Sequence, residues 1–98
     1  VTENGLACWD VPDAEGRVCD TKRIDFLKRH ISAMHRAIAD GADIRGYLTW
    51  SSFDNFEWAL GYERRFGLTY VDYDTQERII KDSGRWYAEV IRNNAVEV

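Results

Sequence analysis

The hydrophobic and polar positions at the start of the chain predict two short strands joined by a helix. Val1-Thr2-Glu3 has the β-branched residues of a strand end, and Asn4-Gly5 is a strong turn signal. Residues 6–19 contain proline, glycine and three acidic residues, which is typical of a loop. Residues 46–50 have the short, mixed apolar pattern of a strand buried on both faces. We therefore expect two parallel strands with a right-handed crossover.

The helix between these strands is predicted from its caps and its apolar stripe. Asp20 is a good N-cap, and Gly41 is a stop signal that can adopt the left-handed conformation. The stripe recurs at steps of three and four residues, at Ile24, Leu27, Ile31, Met34 and Ile38. The charged residues are expected to form the solvated face of an outer helix; they are Lys22, Arg23, Lys28, Arg29 and Arg36.

The second half of the chain predicts a loop, a hairpin and a final helix. Residues 51–58 show no clean period of two or 3.6, so they are interpreted as a loop. Residues 70–73 and 78–81 suggest a small hairpin, and Ser83 is expected to cap a helix that frays at Asn93-Asn94. This order describes two βα units of an α/β protein. A (β/α)₈ barrel needs eight units and about 250 residues, so the chain is either a piece of a barrel or a small domain of its own.

Composition and charge narrow the classes of function. The aromatic content is high, with four Trp, five Tyr and four Phe in 98 residues. The net charge is −4 and no basic stripe is present, which argues against a nucleic-acid or anionic-membrane partner. No signal peptide is found at the start of the sequence, but the sequence begins with Val1 rather than Met, so the N-terminus does not reveal the localisation. A cytoplasmic location is favoured without being indicated by a motif. Cys8 and Cys19 lack the ligand spacing of a zinc site; a disulfide between them is possible, but reduced thiols are expected.

Two groups of residues suggest chemistry. Glu3 stands at the C-terminal end of a strand, where α/β barrels carry catalytic residues, although taken alone a solvated strand-end glutamate fits it better. The loop after the second strand places aromatic residues around Asp54, Asn55 and Glu57. Sugar rings have apolar faces and rims of hydroxyls, so this mixture suits a sugar site. A core of aromatics with salt-bridged acids explains the same composition equally well.

These residues also carry a resemblance to a known family. Thr2-Glu3-Asn4-Gly5 is similar to the T-E-N-G motif around the nucleophile of family 1 glycoside hydrolases. The longer signature of that family, R-G-Y-x-x-W-S-x-x-D-N-F-E-W followed by G-Y and R-F-G-L, resembles residues 45–58, 61–62 and 65–68, and residues 71–72, 81–83 and 86–87 also fit. The resemblance covers essentially the whole chain. It implies that residues 1–98 are the incomplete C-terminal portion of one (β/α)₈ TIM barrel domain, with residues 1–5 and 46–50 as barrel strands seven and eight.

The resemblance also implies roles for particular residues. Glu3 would be the nucleophile that forms a covalent glycosyl-enzyme intermediate. Trp50 would be the platform under the sugar, Glu57 would accept hydrogen bonds from the 4- and 6-hydroxyls, and Trp58 would donate to the 3-hydroxyl. Phe66 would help to wall the pocket. Neither a metal nor a cofactor is implied.

The implied function is that of a retaining β-glycosidase, most similar to a β-glucosidase, acting on terminal β-D-glucosyl residues of glucosides or oligosaccharides. The family's acid/base glutamate lies in an N-E-P motif that does not occur in this chain. The implied partner is therefore the N-terminal remainder of the barrel, and the isolated chain is expected to be inactive. The alternative is a non-catalytic or engineered barrel fragment that binds glycans weakly at most.

Overall fold

The computed structural model describes residues 1–97, which contain two helices and a hairpin. Helix α1 spans Thr21–Ala39 and helix α2 spans Asp82–Asn93. Strands β1 (Thr69–Val71) and β2 (Arg78–Ile80) pair antiparallel, with Tyr70 opposite Ile79. Both predicted helices and the predicted hairpin are confirmed. Gly41 has a positive φ of 105°, as its role as a helix stop requires.

The two segments predicted as barrel strands lie side by side in parallel. Asn4 and Thr49 form a parallel bridge, the Leu48 N–H donates to the Val1 carbonyl at 2.9 Å, and the Trp50 N–H donates to the Asn4 carbonyl at 2.7 Å. The predicted orientation is therefore right. Neither segment forms a regular strand, because this single bridge is the pairing they share among the described residues.

The apolar face of α1 points into a small core. Leu27 and Ile31 are buried, Ile24 and Met34 are half-buried, and Ile38 near the C-terminal end is exposed. The remaining buried apolar residues come from the loop before α1 and from the β1 region: Val18, Leu68 and Val71. Large aromatic residues of the loop after residue 50 stay outside this core.

Cys8 and Cys19 are free thiols. None of the helices found in residues 1–97 is long and apolar enough to cross a membrane.

The expectation that Arg23 lies on the solvated face of α1 is wrong. Its side chain is fully buried, because Arg23 precedes Leu27 by one helical turn and so shares the inward face. The guanidinium is stabilised there by ion pairs with Asp10, at 2.7 Å, and with Asp20. A charged residue can lie on the buried face of a helix when carboxylates on neighbouring elements form ion pairs with it.

The predicted cap of α2 is also wrong. The N-cap residue is Lys81, and Ser83 is buried inside the first turn. The Ser83 hydroxyl and backbone N–H both donate to the carboxylate of Asp20, the latter at 2.9 Å. Asp20 occupies the predicted N-cap position of α1, but its side chain makes no cap hydrogen bond. Instead it joins the starts of the two helices.

Candidate active site

Glu3 is exposed at the end of the first parallel segment, and its neighbours are held closely. A Cβ atom on Gly5 would lie 1.9 Å from the carbonyl oxygen of Trp50, so only glycine fits this approach. The contact fixes the backbone after Glu3 directly against the backbone of Trp50. The sequence motif therefore contains its glycine for a steric reason.

Asn4 is anchored by side chains from two other elements. Its Oδ1 accepts a hydrogen bond from the Tyr47 hydroxyl at 2.6 Å, and its Nδ2 lies 3.3 Å from Nδ1 of His30. His30 in turn stacks on Phe26. Burial, with a smaller effect of the nearby Tyr87, raises the pKa of Tyr47 to about 12. The phenol therefore remains a hydrogen-bond donor throughout the neutral range and holds the residue beside Glu3.

Trp50 and Glu57, which the family resemblance would assign to one sugar site, are brought into contact. The indole N–H of Trp50 donates to Oε2 of Glu57 at 3.2 Å. The peptide bond between Trp50 and Ser51 is cis. The contact sets a carboxylate at the rim of an aromatic plate that is 36% exposed. Such a plate and acceptor match the apolar face and the hydroxyl rim of a sugar ring.

Trp58 and Phe66 occupy different environments. Trp58 begins a single 3₁₀ turn, Trp58–Leu60, and its side chain is 85% exposed. The turn is closed by the Glu57 N–H, which donates to the Gly61 carbonyl at 2.8 Å. Phe66 is half-buried, and its carbonyl accepts a hydrogen bond from the Ser51 N–H at 3.0 Å. The backbone at Phe66 is thus next to the residue that follows Trp50.

Asp54 holds the loop that carries these side chains. It is only 2% exposed, and its two oxygens accept four hydrogen bonds. The donors are the backbone N–H groups of Gly67 (3.0 Å) and Val71 (3.3 Å), the Arg65 guanidinium (2.8 Å) and the Lys81 ammonium (2.8 Å). A carboxylate with this many donors fixes the loop from inside.

Sequence reasoning offered salt-bridged acids as one explanation for this loop, but it missed the partners that form the buried ionic network around Asp54. Lys81 is fully buried and pairs with both Asp10 and Asp54. Arg23 pairs with Asp10 and Asp20, and burial alone would lower its pKa, but these carboxylates outweigh burial and raise it. Spacing gives no signal for these pairs, since Asp10 and Lys81 are 71 positions apart. No group of His, Cys, Asp and Glu within residues 1–97 is arranged to hold a metal ion.

Comparison with known proteins shows which proteins this chain is similar to. The model of the family described as glycosyl hydrolase family 1 matches residues 1–96. The chain is 56% identical to Beta-glucosidase A of Thermotoga maritima over 99% of its own length. It is 54% identical to a bifunctional beta-D-glucosidase/beta-D-fucosidase of Bifidobacterium breve, over 97% of its length. It is 49% identical to a 6-phospho-beta-galactosidase of Staphylococcus epidermidis, over 99% of its length.

Comparison with solved structures finds similar folds in the same family. The structure of the family 1 β-glucosidase from Thermotoga maritima in complex with isofagomine lactam matches with a TM-score of 0.97 at 56% identity. The match covers 99% of this chain and 22% of that one. The chain likewise spans only about a fifth of the length of the curated relatives that it matches, 22% of each of the first two.

Proposed function

This chain belongs to glycosyl hydrolase family 1, and on that premise we propose that it is the C-terminal portion of a single, larger barrel domain. In this proposal residues 1–5 and 46–50 are barrel strands seven and eight, and α1 and α2 are their outer helices. The parallel pairing of Asn4 with Thr49 supports the assignment, because barrel strands are parallel neighbours. The carboxyl ends of both segments then lie on one face, where barrel enzymes keep their active sites.

We propose that the complete enzyme is a retaining β-glycosidase whose nucleophile is Glu3. In the first step a Glu3 oxygen bonds to the anomeric carbon while the bond to the aglycone breaks, and a second carboxylic acid protonates the departing oxygen. In the second step that carboxylate takes a proton from water, the water oxygen bonds to the anomeric carbon, and Glu3 leaves. The second carboxyl, which retaining enzymes hold roughly 5–5.5 Å from the nucleophile, is assigned to the rest of the barrel.

Trp50, Glu57, Trp58 and Phe66 form the sugar-binding part of this proposal. The observation that carries it is the hydrogen bond from the Trp50 indole to Glu57, which fixes a carboxylate at the edge of an aromatic plate. Trp58 and Phe66 follow on the same loop, and Trp58 leaves its indole open to bind a hydroxyl.

The proposed substrate is an unphosphorylated β-glucoside or a closely related β-glycoside. Glu57 would accept hydrogen bonds from neutral hydroxyls, whereas its negative charge would repel a phosphate group at the same position. This argument separates the chain from a 6-phospho specificity, although a relative with that name is 49% identical. Glucose, fucose and galactose configurations differ at the hydroxyls that Glu57 and its neighbours would contact.

The test is covalent trapping in the complete enzyme. A 2-deoxy-2-fluoro glucoside with a good leaving group slows both steps, but its activated leaving group lets the first step proceed, so the intermediate accumulates. Peptide mapping is expected to find the fluorosugar on Glu3. Glu3→Gln should lower turnover by orders of magnitude while sugar binding largely survives. The matched control is Glu63→Gln, at an exposed loop glutamate, which should keep full activity. A label on another residue, or the α-anomer as first product, would refute the proposal.

A further inference from the structure

Three buried charged residues join the segment after Glu3 to the loop that carries Glu57. Asp10 lies in the segment after Glu3, and Asp54 lies in the same loop as Glu57. The ammonium of Lys81, at the start of α2, is 2.6 Å from Asp10 and 2.8 Å from Asp54. Lys81 therefore connects the two loops directly.

A second connection between the same loops runs through Arg65. Its guanidinium donates to Asp54 at 2.8 Å and to the Val71 carbonyl at 2.7 Å. Its backbone exchanges two hydrogen bonds with Cys8, at 2.9 and 3.1 Å, and its carbonyl accepts one from Arg23 at 2.7 Å. The two connections meet at Asp54, so a shift of either loop would disturb both.

The positive and negative charges of this network balance, and the two loops that it joins have little freedom to move relative to each other. Three carboxylates (Asp10, Asp20 and Asp54) face three cations (Arg23, Arg65 and Lys81). In residues 1–97 no buried side-chain nitrogen or oxygen lacks a hydrogen-bond partner. A buried charge that loses its partner is strongly unfavourable, so alternative placements of the loops are penalised. The network thus selects one relative position of the two loops.

We propose that Lys81 is a positioning residue for sugar recognition, which sets Glu57 relative to Glu3 through Asp54 and Asp10. The inference rests on the proposed function, since it takes Glu3 as nucleophile and Glu57 as hydroxyl acceptor. Lys81 touches neither of them. Its contribution is expected in the selectivity for hydroxyls that Glu57 binds, because misplacing a binding group by about 1 Å can lower rates by about 100-fold.

The experiment compares Lys81→Met with Lys22→Met in the complete enzyme. Lys22 is exposed on α1, so the same substitution there tests the loss of a lysine without the network. The values of kcat/KM are measured for an aryl β-glucoside and for its 6-deoxy analogue, per active site counted by the burst with the 2-fluoro glucoside. Lys81→Met should lower the glucoside value by about 100-fold and narrow the preference for glucoside over the analogue by about tenfold. Lys22→Met should change neither value.

Equal losses on both substrates, after correction for active sites, would mean that Lys81 only supports the fold, and would overturn the inference. Should Lys81→Met not fold, Asp10→Asn keeps the side-chain shape, leaves Lys81 paired with Asp54, and should narrow the preference in the same direction. An unchanged preference in folded Asp10→Asn would equally overturn it. Failure of the proposed function is a separate result: the fluorosugar would then miss Glu3 in the unmodified enzyme.

Discussion

Replacement of Gly5 by alanine is expected to disable the site by steric pressure alone. The new methyl carbon would lie 1.9 Å from the Trp50 carbonyl oxygen, and Cβ atoms essentially never approach a heavy atom closer than 3.0 Å. The two backbones must therefore separate by about 1 Å, which moves Trp50 away from the segment that carries Glu3. A displacement of this size corresponds to a loss of about 100-fold in kcat/KM, or about 2.7 kcal/mol of transition-state stabilisation. Overpacking should also lower the free energy of unfolding by about 1–3 kcal/mol.

Gly46→Ala is the matched control for this change. Gly46 begins the neighbouring parallel segment, its φ is not positive, and a Cβ atom there would meet nothing within 4 Å. Both variants are assayed in the complete enzyme with an aryl β-glucoside, per titrated active site, and by urea unfolding. Gly5→Ala should lose activity and stability while Gly46→Ala keeps both. Equal activities for the two variants would show that the close approach at Gly5 does not position the site.

Two further changes test neighbouring contacts. Glu57→Ala removes an acceptor whose charged hydrogen bonds are worth about 1.5–3 kcal/mol each, so kcat/KM for glucosides should fall at least about tenfold, and less for 6-deoxy sugars. Glu63→Ala is the control. If Glu57→Ala leaves kcat/KM unchanged across these sugars, Glu57 is not part of the site. The raised pKa of Tyr47, about 12 against an ordinary 10.0, stabilises the fold fully below about pH 10 and less as the pH rises towards 12. In urea melts the stability advantage over Tyr47→Phe should therefore shrink across that range, and parallel pH curves would contradict this.

The elements of the fold could be predicted because their signals are local. The apolar stripe from Ile24 to Ile38 and the left-handed stop at Gly41 fixed α1 closely, and the turn between residues 73 and 78 fixed the hairpin. The interpretation of Arg23 failed because charge in a helix usually marks the wet face. Its helical position, one turn before Leu27, favoured the core, but only the distant Asp10 and Asp20 make burial of its charge favourable.

The candidate site was predicted from a resemblance rather than from periodicity. Glu3, Trp50 and Glu57 stand in motifs that can be recognised along the chain, and the structure brings the last two into contact. The residues that hold them could not be recognised in this way. Ser83 has the residue type of a helix cap, yet its hydroxyl meets Asp20, 63 positions away. Long-range pairs of this kind leave no pattern in a single sequence.

The buried network has a consequence for engineering by loop exchange. Residues 51–66 look like a self-contained cassette that could be transplanted between relatives to change sugar preference. Two of its residues have partners outside the cassette: Asp54 forms a salt bridge with Lys81, and the backbone of Arg65 exchanges two hydrogen bonds with the backbone of Cys8. A graft of the cassette alone into a recipient lacking these partners would import a buried Asp54 that keeps Arg65 but loses Lys81, one of its two counterions. If the proposed function holds, the part of the chain to exchange is therefore discontinuous: it comprises the cassette, the stretch around Asp10 and the start of α2 with Lys81.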